Sequence, residues 1–216
     1  MLEKILDLIY PKTCGMCGKI CKQEVCIKCS FELNKILKSK INNYKKGLNK
    51  NFKYHAYLFK YEGIIRNKII DYKFKENSYL NGFFVKLIIK NEKICGFIKS
   101  YDIILPVPIH KKRNLCRGYN QTELIANKMA KYLNKEICTK VLVKSKNTIP
   151  QSTLNKKQRI ENVKNVYEVQ NSQIINNKKV LIFDDIFTTG STVNECCKIL
   201  KKAGAKQVDV LTIAKD

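Results

Sequence analysis

The stretch at residues 180–192, VLIFDDIFTTGST, constrains the fold more than any other part of this chain. Four apolar residues, Val180 to Phe183, predict a buried strand, and Asp184 and Asp185 follow at its carboxyl end, the edge where open α/β sheets place their ligands. The chain then turns through Ile186 and Phe187 into Thr188, Thr189, Gly190, Ser191 and Thr192, ahead of a helix expected over 192–203 and closed by Gly204. Backbone N–H groups and hydroxyls at such a loop can encircle a phosphate dianion, and the helix dipole favours its charge. Gly190 lets the backbone approach closely. The two carboxylates can accept hydrogen bonds from vicinal ribose hydroxyls, or hold Mg²⁺ through water. The pattern predicts a sugar-phosphate site. Two plainer readings accompany it: TVNE at 192–195 fits a capping box, and paired aspartates after a strand can form a simple turn.

Around this motif, strand and helix signals alternate. A strand is expected over 53–59, helices over 61–74 and 80–91, a strand in YDIILPVPIH ended by its prolines, a helix over 120–133, and further strands at 141–144, 180–183 and 208–213. From about residue 95 onward this spacing predicts an α/β fold with a mainly parallel, doubly wound sheet. Residues 31–50 read as a helix decaying into a basic connector, and MLEKILDLIYPK as a short amphipathic helix. The expected units are 1–50 (helix, cysteine module and connector) and 51–216.

Five of the ten cysteines fall within CGMCGKICKQEVCIKC, where two CxxC pairs, Cys14/Cys17 and Cys26/Cys29, are separated by a hairpin-length insert. Four thiolates at that spacing can close a tetrahedron around Zn²⁺, and Gly15 and Gly18 supply tight turns. A closed four-sulfur site leaves no open coordination position, so its role is structural or recognitive. Cys21 can take a ligand position or stand aside; the two matched pairs are the preferred set. Cys95, Cys116, Cys138, Cys196 and Cys197 are expected to pack as small hydrophobes.

The absence of an export signal and of any apolar run long enough to span a bilayer predicts a soluble, cytoplasmic protein. The formal charge of +24 has two readings, a surface that attracts nucleic acid or a lysine-rich compositional bias. Only four of the 42 basic residues are arginine. Arg113, Arg117 and Arg159 fall in motif segments, where a planar fork suits phosphate. Arg66 has no such context.

The chain resembles the type I phosphoribosyltransferases and, within them, the ComF competence family (ComFC, GntX-like). The resemblance runs through the paired CxxC module, LPVPIHKKRNLCRGYNQTELIA, IPQSTLNKKQRIENV and the 180–192 motif, with Cys21 and Tyr119 as minor departures. It implies a type I phosphoribosyltransferase-like fold with an N-terminal four-cysteine zinc module, and phosphoribosyl diphosphate (PRPP) with Mg²⁺ as the ligand of Asp184, Asp185, Thr188, Thr189, Gly190, Ser191 and Thr192. The turn at Val107, Pro108, Ile109 and His110, with Arg113 and Arg117, is then the diphosphate side. Residues 147–163 correspond to the mobile loop that closes over PRPP, with Gln151, Arg159 and Asn162 as its contacts. The catalytic set would be Asp184, Asp185 and Arg159.

The family also implies a part in the uptake of transforming DNA, with single-stranded DNA and a competence helicase as partners. Tyr44, Phe52 and Tyr54 can serve as stacking aromatics or as local core. Phosphoribosyl transfer to a base, nucleotide or nucleic acid is the alternative activity, and no base-reading residue is legible. In a third reading PRPP, or a nucleotide, is an effector of DNA or partner binding.

Overall fold

A computed structural model of the chain describes residues 11–45, 50–74, 77 and 79–216. All but two residues of the helix expected at 1–12 lie outside this set. Helix α1 (Ile27–Ile36) and strand β1 (Lys40–Asn43) precede β2 (Tyr54–Lys60) and the helices α2 (Gly63–Phe74), α3 (Leu80–Ile89) and α4 (Glu92–Lys99). Next come β3 (Ile103–Pro106), α5 (Lys111–Arg117), α6 (Gln121–Leu133), β4 (Glu136–Ile137), β5 (Leu142–Lys144), α7 (Lys156–Glu161) and β6 (Tyr167–Val169). The motif supplies β7 (Lys179–Phe187) and α8 (Ser191–Lys202), and β8 (Gln207–Lys215) ends the chain.

Six strands form one sheet in the order β1-β2-β8-β7-β3-β4, with every neighbouring pair parallel except β1 with β2. Alternation along β7 builds a core on each face. Leu181 and Phe183 pack with α2, α3, α4 and α6 on one side, and Val180 and Ile182 with α8 on the other. Helices on both faces of a mostly parallel sheet are the expected α/β architecture.

Four expectations are corrected. The sheet does not begin near residue 95, because β2 inserts beside β8 and β1 pairs outside it. Among the described residues of the 31–50 segment only 31–36 are helical: α1 ends at Ile36, and β1 then forms an edge strand whose KINN sequence carries little alternation, while 46–49 lie outside the described residues. The 80–91 helix stops at Ile89, and Asn91 caps α4 by accepting from the Ile94 N–H at 3.0 Å. The 141–144 strand lies outside the main sheet, pairing antiparallel with β6 as a separate ribbon that brackets residues 145–166.

The cysteine module packs on the same core. Cys14, Val25, Cys29 and Leu33 are buried with Phe83 and Phe84 of α3. A Cβ at Gly15 would lie 2.6 Å from that of Phe83, so only glycine allows this approach. Burying Leu33 alone is worth about 1.5–3 kcal/mol, so apolar packing helps to hold the module on the core.

Among the described residues, no helix is long and apolar enough to cross a membrane.

Candidate functional site

The carboxyl ends of β3 and β7 open into a cleft of about 480 Å³. Strand β7 runs four residues beyond the predicted Phe183, so Asp184 and Asp185 sit within the strand and not in a turn. Alternation sends them apart: Asp185 is buried, and Asp184 is partly exposed on the cleft. Asp184 Oδ1 accepts the Asp185 N–H at 2.9 Å. Burial, then the neighbouring Asp185 carboxylate, pushes the Asp184 carboxyl up to about 7. Asp185 is paired with Lys73 of α2, whose Nζ lies 2.8 Å from Oδ1 and 2.7 Å from Oδ2.

The loop that follows depends on Gly190. Its φ of +73° is left-handed, and a Cβ there would stand 2.3 Å from the Phe187 ring. Gly190 is also the N-cap of α8, so the capping box expected at Thr192 does not form. The hydroxyls serve the loop instead. Thr189 donates to Ser191 Oγ at 3.0 Å and its oxygen accepts the Ser191 N–H at 3.3 Å, while Thr192 Oγ1 accepts from Gln151 Nε2 at 3.2 Å. Behind the loop, Lys50 Nζ donates to the Thr189 carbonyl at 3.3 Å, and the Asn51 N–H to Asn194 Oδ1 at 2.6 Å. Thr188, Thr189, Gly190, Ser191 and Thr192 all face the cleft.

The opposite wall is the turn after β3. Asn120 Nδ2 and Thr122 Oγ1 both donate to the Val107 carbonyl, at 3.2 and 2.8 Å, so the GYNQTEL segment fixes the turn. Val107, Pro108, Ile109, Arg113 and Arg117 line the cleft. His110 does not; its Nδ1 caps α5 by accepting the Lys112 N–H at 3.2 Å. Burial, then Arg113, holds the Arg117 guanidinium below its ordinary value.

Residues 147–163 form the third side. Gln151 and Arg159 reach the cleft, with Arg159 Nε braced on the Leu154 carbonyl at 2.9 Å. Asn162 is not part of the cleft lining; it donates to the Ile149 carbonyl at 3.0 Å and holds the segment's own shape.

Several cleft residues escaped the sequence reading. Arg66, which no sequence motif marks, lines the cleft beside Tyr61, with its guanidinium 6.0 Å from that ring's centre. Lys73, Lys144, Gln121 and Tyr167 are also there. Lys144 Nζ donates to Thr148 Oγ1 at 2.8 Å, and burial, then Arg113, lowers its ammonium to about 8. These residues come from separate segments, and no local pattern joins them. Conversely, Phe52 is core: it packs edge-on against Tyr44 and Phe187, at 5.4 and 6.1 Å, which leaves no free stacking face on this buried ring.

Cys14, Cys17, Cys26 and Cys29 converge, with all four sulfur atoms within 4.8 Å of one another. A tetrahedral Zn–S₄ centre needs sulfurs about 3.8 Å apart, which follows from a Zn–S distance of about 2.3 Å, so the set fits zinc after a small contraction. Cys21 stands aside, donating to the Gln23 carbonyl at 2.8 Å. Burial raises the Cys14 thiol, but backbone N–H groups of Cys17, Cys26 and Met16 outweigh it and bring it down to about 6. Thiolate ligation draws on that form.

The phosphoribosyl transferase domain family matches residues 122–216. Competence protein F of Haemophilus influenzae is 29% identical over 148 residues, covering 67% of this chain and 65% of that protein. The chain is a homologue of the ComF competence proteins. Competence protein ComFC of Streptococcus pneumoniae is 27% identical to this ComF homologue over 162 residues, covering 74% of the chain and 68% of that protein. DNA utilization protein YhgH of Escherichia coli O157:H7 is 30% identical over 109 residues, covering 50% and 47%. The ComF homologue thus spans about half to two thirds of the length of the curated relatives it matches. Among solved structures, adenine phosphoribosyltransferase from Thermoanaerobacter pseudethanolicus is 13% identical with a TM-score of 0.40, covering 87% of this chain and 99% of that one. The fold is type I phosphoribosyltransferase-like, a mostly parallel sheet between helices with the four-cysteine cluster at its amino-terminal side.

Proposed function

We propose that the ComF homologue binds PRPP in this cleft and acts in the handling of incoming DNA. The observation that carries the PRPP reading is the convergence of three separate segments on one cleft: the acidic pair and phosphate loop of β7–α8, Arg113 and Arg117 after β3, and Arg159 of the 147–163 segment. The loop's N–H groups and hydroxyls would take the 5′-phosphate, Asp184 and Asp185 the ribose hydroxyls, and the guanidinium groups the diphosphate. Gln151 and Arg159 would cover the bound ligand. Mg²⁺, when bound through the acidic pair and the diphosphate, would neutralise phosphate charge.

We further assign Zn²⁺ to Cys14, Cys17, Cys26 and Cys29 as a structural ion. Residues 1–50, which carry the metal module and the edge strand β1 of the main sheet, are taken as one unit and 51–216, with the PRPP-binding cleft, as the other. Relatives named for competence and DNA utilization support a role in DNA uptake. A cytoplasmic location and a helicase partner follow from that role. Single-stranded DNA is the preferred nucleic-acid ligand. Beside the cysteine cluster, α1 presents Phe31, 65% exposed, next to exposed Lys28 and to Lys35, whose ammonium pairs with Glu32 at 2.8 Å, so an aromatic face lies beside basic side chains. A fluorescence titration with an oligonucleotide tests this; binding that weakens with salt and with Phe31→Ala is expected, and no binding at low salt rejects it.

A second reading, phosphoribosyl transfer, is favoured by one observation: the cleft extends past the acidic pair to Tyr61, Arg66 and Ile70, leaving room for an acceptor. Diphosphate release from PRPP and Mg²⁺ is to be followed with a panel of bases, nucleotides and oligonucleotides. Acceptor-dependent release supports transfer, and binding without turnover supports an effector role.

A further inference from the structure

Lys73 lies in the last turn of α2, on a different element from the phosphate loop, yet its ammonium meets both oxygens of Asp185, at 2.8 and 2.7 Å. A cation nearly equidistant from the two oxygens occupies the bidentate face of the carboxylate, which a divalent ion can also take. The pair is enclosed, with the Asp185 side chain 10% exposed and that of Lys73 23%. Ionic strength screens such a pair much less than one at the surface.

The support beneath Lys73 is fixed. Ile65, Ile69 and Tyr72 are buried in the core. The Tyr72 hydroxyl donates to the Gln121 carbonyl at 2.8 Å, and the Tyr119 hydroxyl donates to the Tyr72 carbonyl at 3.3 Å. The end of α2 is therefore tied to the start of α6, and the lysine is delivered to the acidic pair from two packed helices.

Asp184 and Asp185 both line the cleft, where a carboxylate can take a divalent cation. Here one negative charge is cancelled and one bidentate face is taken. Mg²⁺ sheds water reluctantly and binds through one or two carboxylates together with substrate phosphates. We propose that Lys73 is the resident counter-ion of the acidic pair, holding the face of Asp185 that a divalent cation would otherwise take, so that metal binds here together with the phosphorylated ligand and not before it. This rests on the reading of Asp184 and Asp185 as the ribose-facing and metal-facing pair. Lys73 is then a positioning residue, and the remaining lone pairs of Asp185 stay open to ribose hydroxyls.

Mn²⁺ in place of Mg²⁺ gives a direct test, because free Mn²⁺ is counted by electron paramagnetic resonance. The zinc-loaded full chain is titrated without PRPP, as wild type, Lys73→Met, Lys73→Arg and the double variant Lys73→Met with Asp185→Asn. Weak Mn²⁺ binding is expected for wild type and Lys73→Arg, at least tenfold tighter binding for Lys73→Met, and loss of that gain in the double variant. A lysine with only a packing role would lower stability without creating a metal site. Equal Mn²⁺ affinity in wild type and Lys73→Met, both melting cooperatively, overturns the proposal; if Lys73→Met does not fold, Lys73→Gln is judged by the same criterion. PRPP calorimetry on the wild type reports separately. A wild type that ignores PRPP, beside a Lys73→Met variant that gains Mn²⁺, keeps the counter-ion role and removes the PRPP reading.

Discussion

Gln151 donates its side-chain amide to the Thr192 hydroxyl across 3.2 Å, joining the 147–163 segment to the first turn of α8. This contact connects two walls of the cleft that lie far apart in the chain. A segment held in this way is placed to cover a ligand on the phosphate loop and to exclude water from it. Gln151→Ala is expected to weaken PRPP binding by about fivefold, the worth of one hydrogen bond of about 1 kcal/mol. Calorimetry measures it, and unchanged affinity would remove Gln151 from the site.

Gly190→Ala confronts both a left-handed φ and the Phe187 ring. The backbone conformation alone costs about 1–2 kcal/mol, and the ring must also shift. A lower melting temperature together with lost PRPP binding is expected. A variant with wild-type stability and affinity would show that the loop tolerates a different geometry from the one described.

What was legible in the sequence was what lies contiguous in the chain. The β7–α8 motif, the paired cysteines and the Arg113 and Arg117 turn are each local patterns, readable without the fold. Lys73, Lys144 and Arg66 were missed because α2 and the β5–β6 ribbon meet the cleft only through tertiary packing. β1 was missed because KINN has neither alternation nor β-branched density. The family resemblance places Asn162 among the ligand contacts, whereas in the structure its amide donates to the Ile149 carbonyl of its own loop. TVNE looked like a cap, but the positive φ of Gly190 starts the helix without one.

Lys144 gives a pH signature. Its ammonium is lowered to about 8, first by burial and then by Arg113. A phosphate-bearing ligand selects the protonated form. The contribution of Lys144 to binding a phosphate-bearing ligand should therefore be full below about pH 8 and be lost as the pH rises above that value. Lys144→Arg, charged throughout, should bind without this decline. Calorimetry between about pH 6.5 and 9.5 tests it, and an identical decline in both proteins would assign the titration to another group.

Replacing Cys26 and Cys29 with serine should remove zinc from the purified protein. It should also destabilise the face of the core that Leu33 and Phe83 share with the module. Metal analysis reads the first effect and thermal melting the second. Unchanged zinc stoichiometry would refute the assigned ligands. Cys21→Ser should change neither, because Cys21 hydrogen-bonds to Gln23 outside the cluster.

The central claim is that the cleft binds PRPP through the acidic pair. Isothermal titration of zinc-loaded protein with PRPP and Mg²⁺, beside the Asp184→Ala, Asp185→Ala double variant, tests it most directly. Saturable one-site binding by the wild type and its loss in a variant that still melts cooperatively is the predicted result. No PRPP binding by the wild type, or equal binding by both, would contradict it.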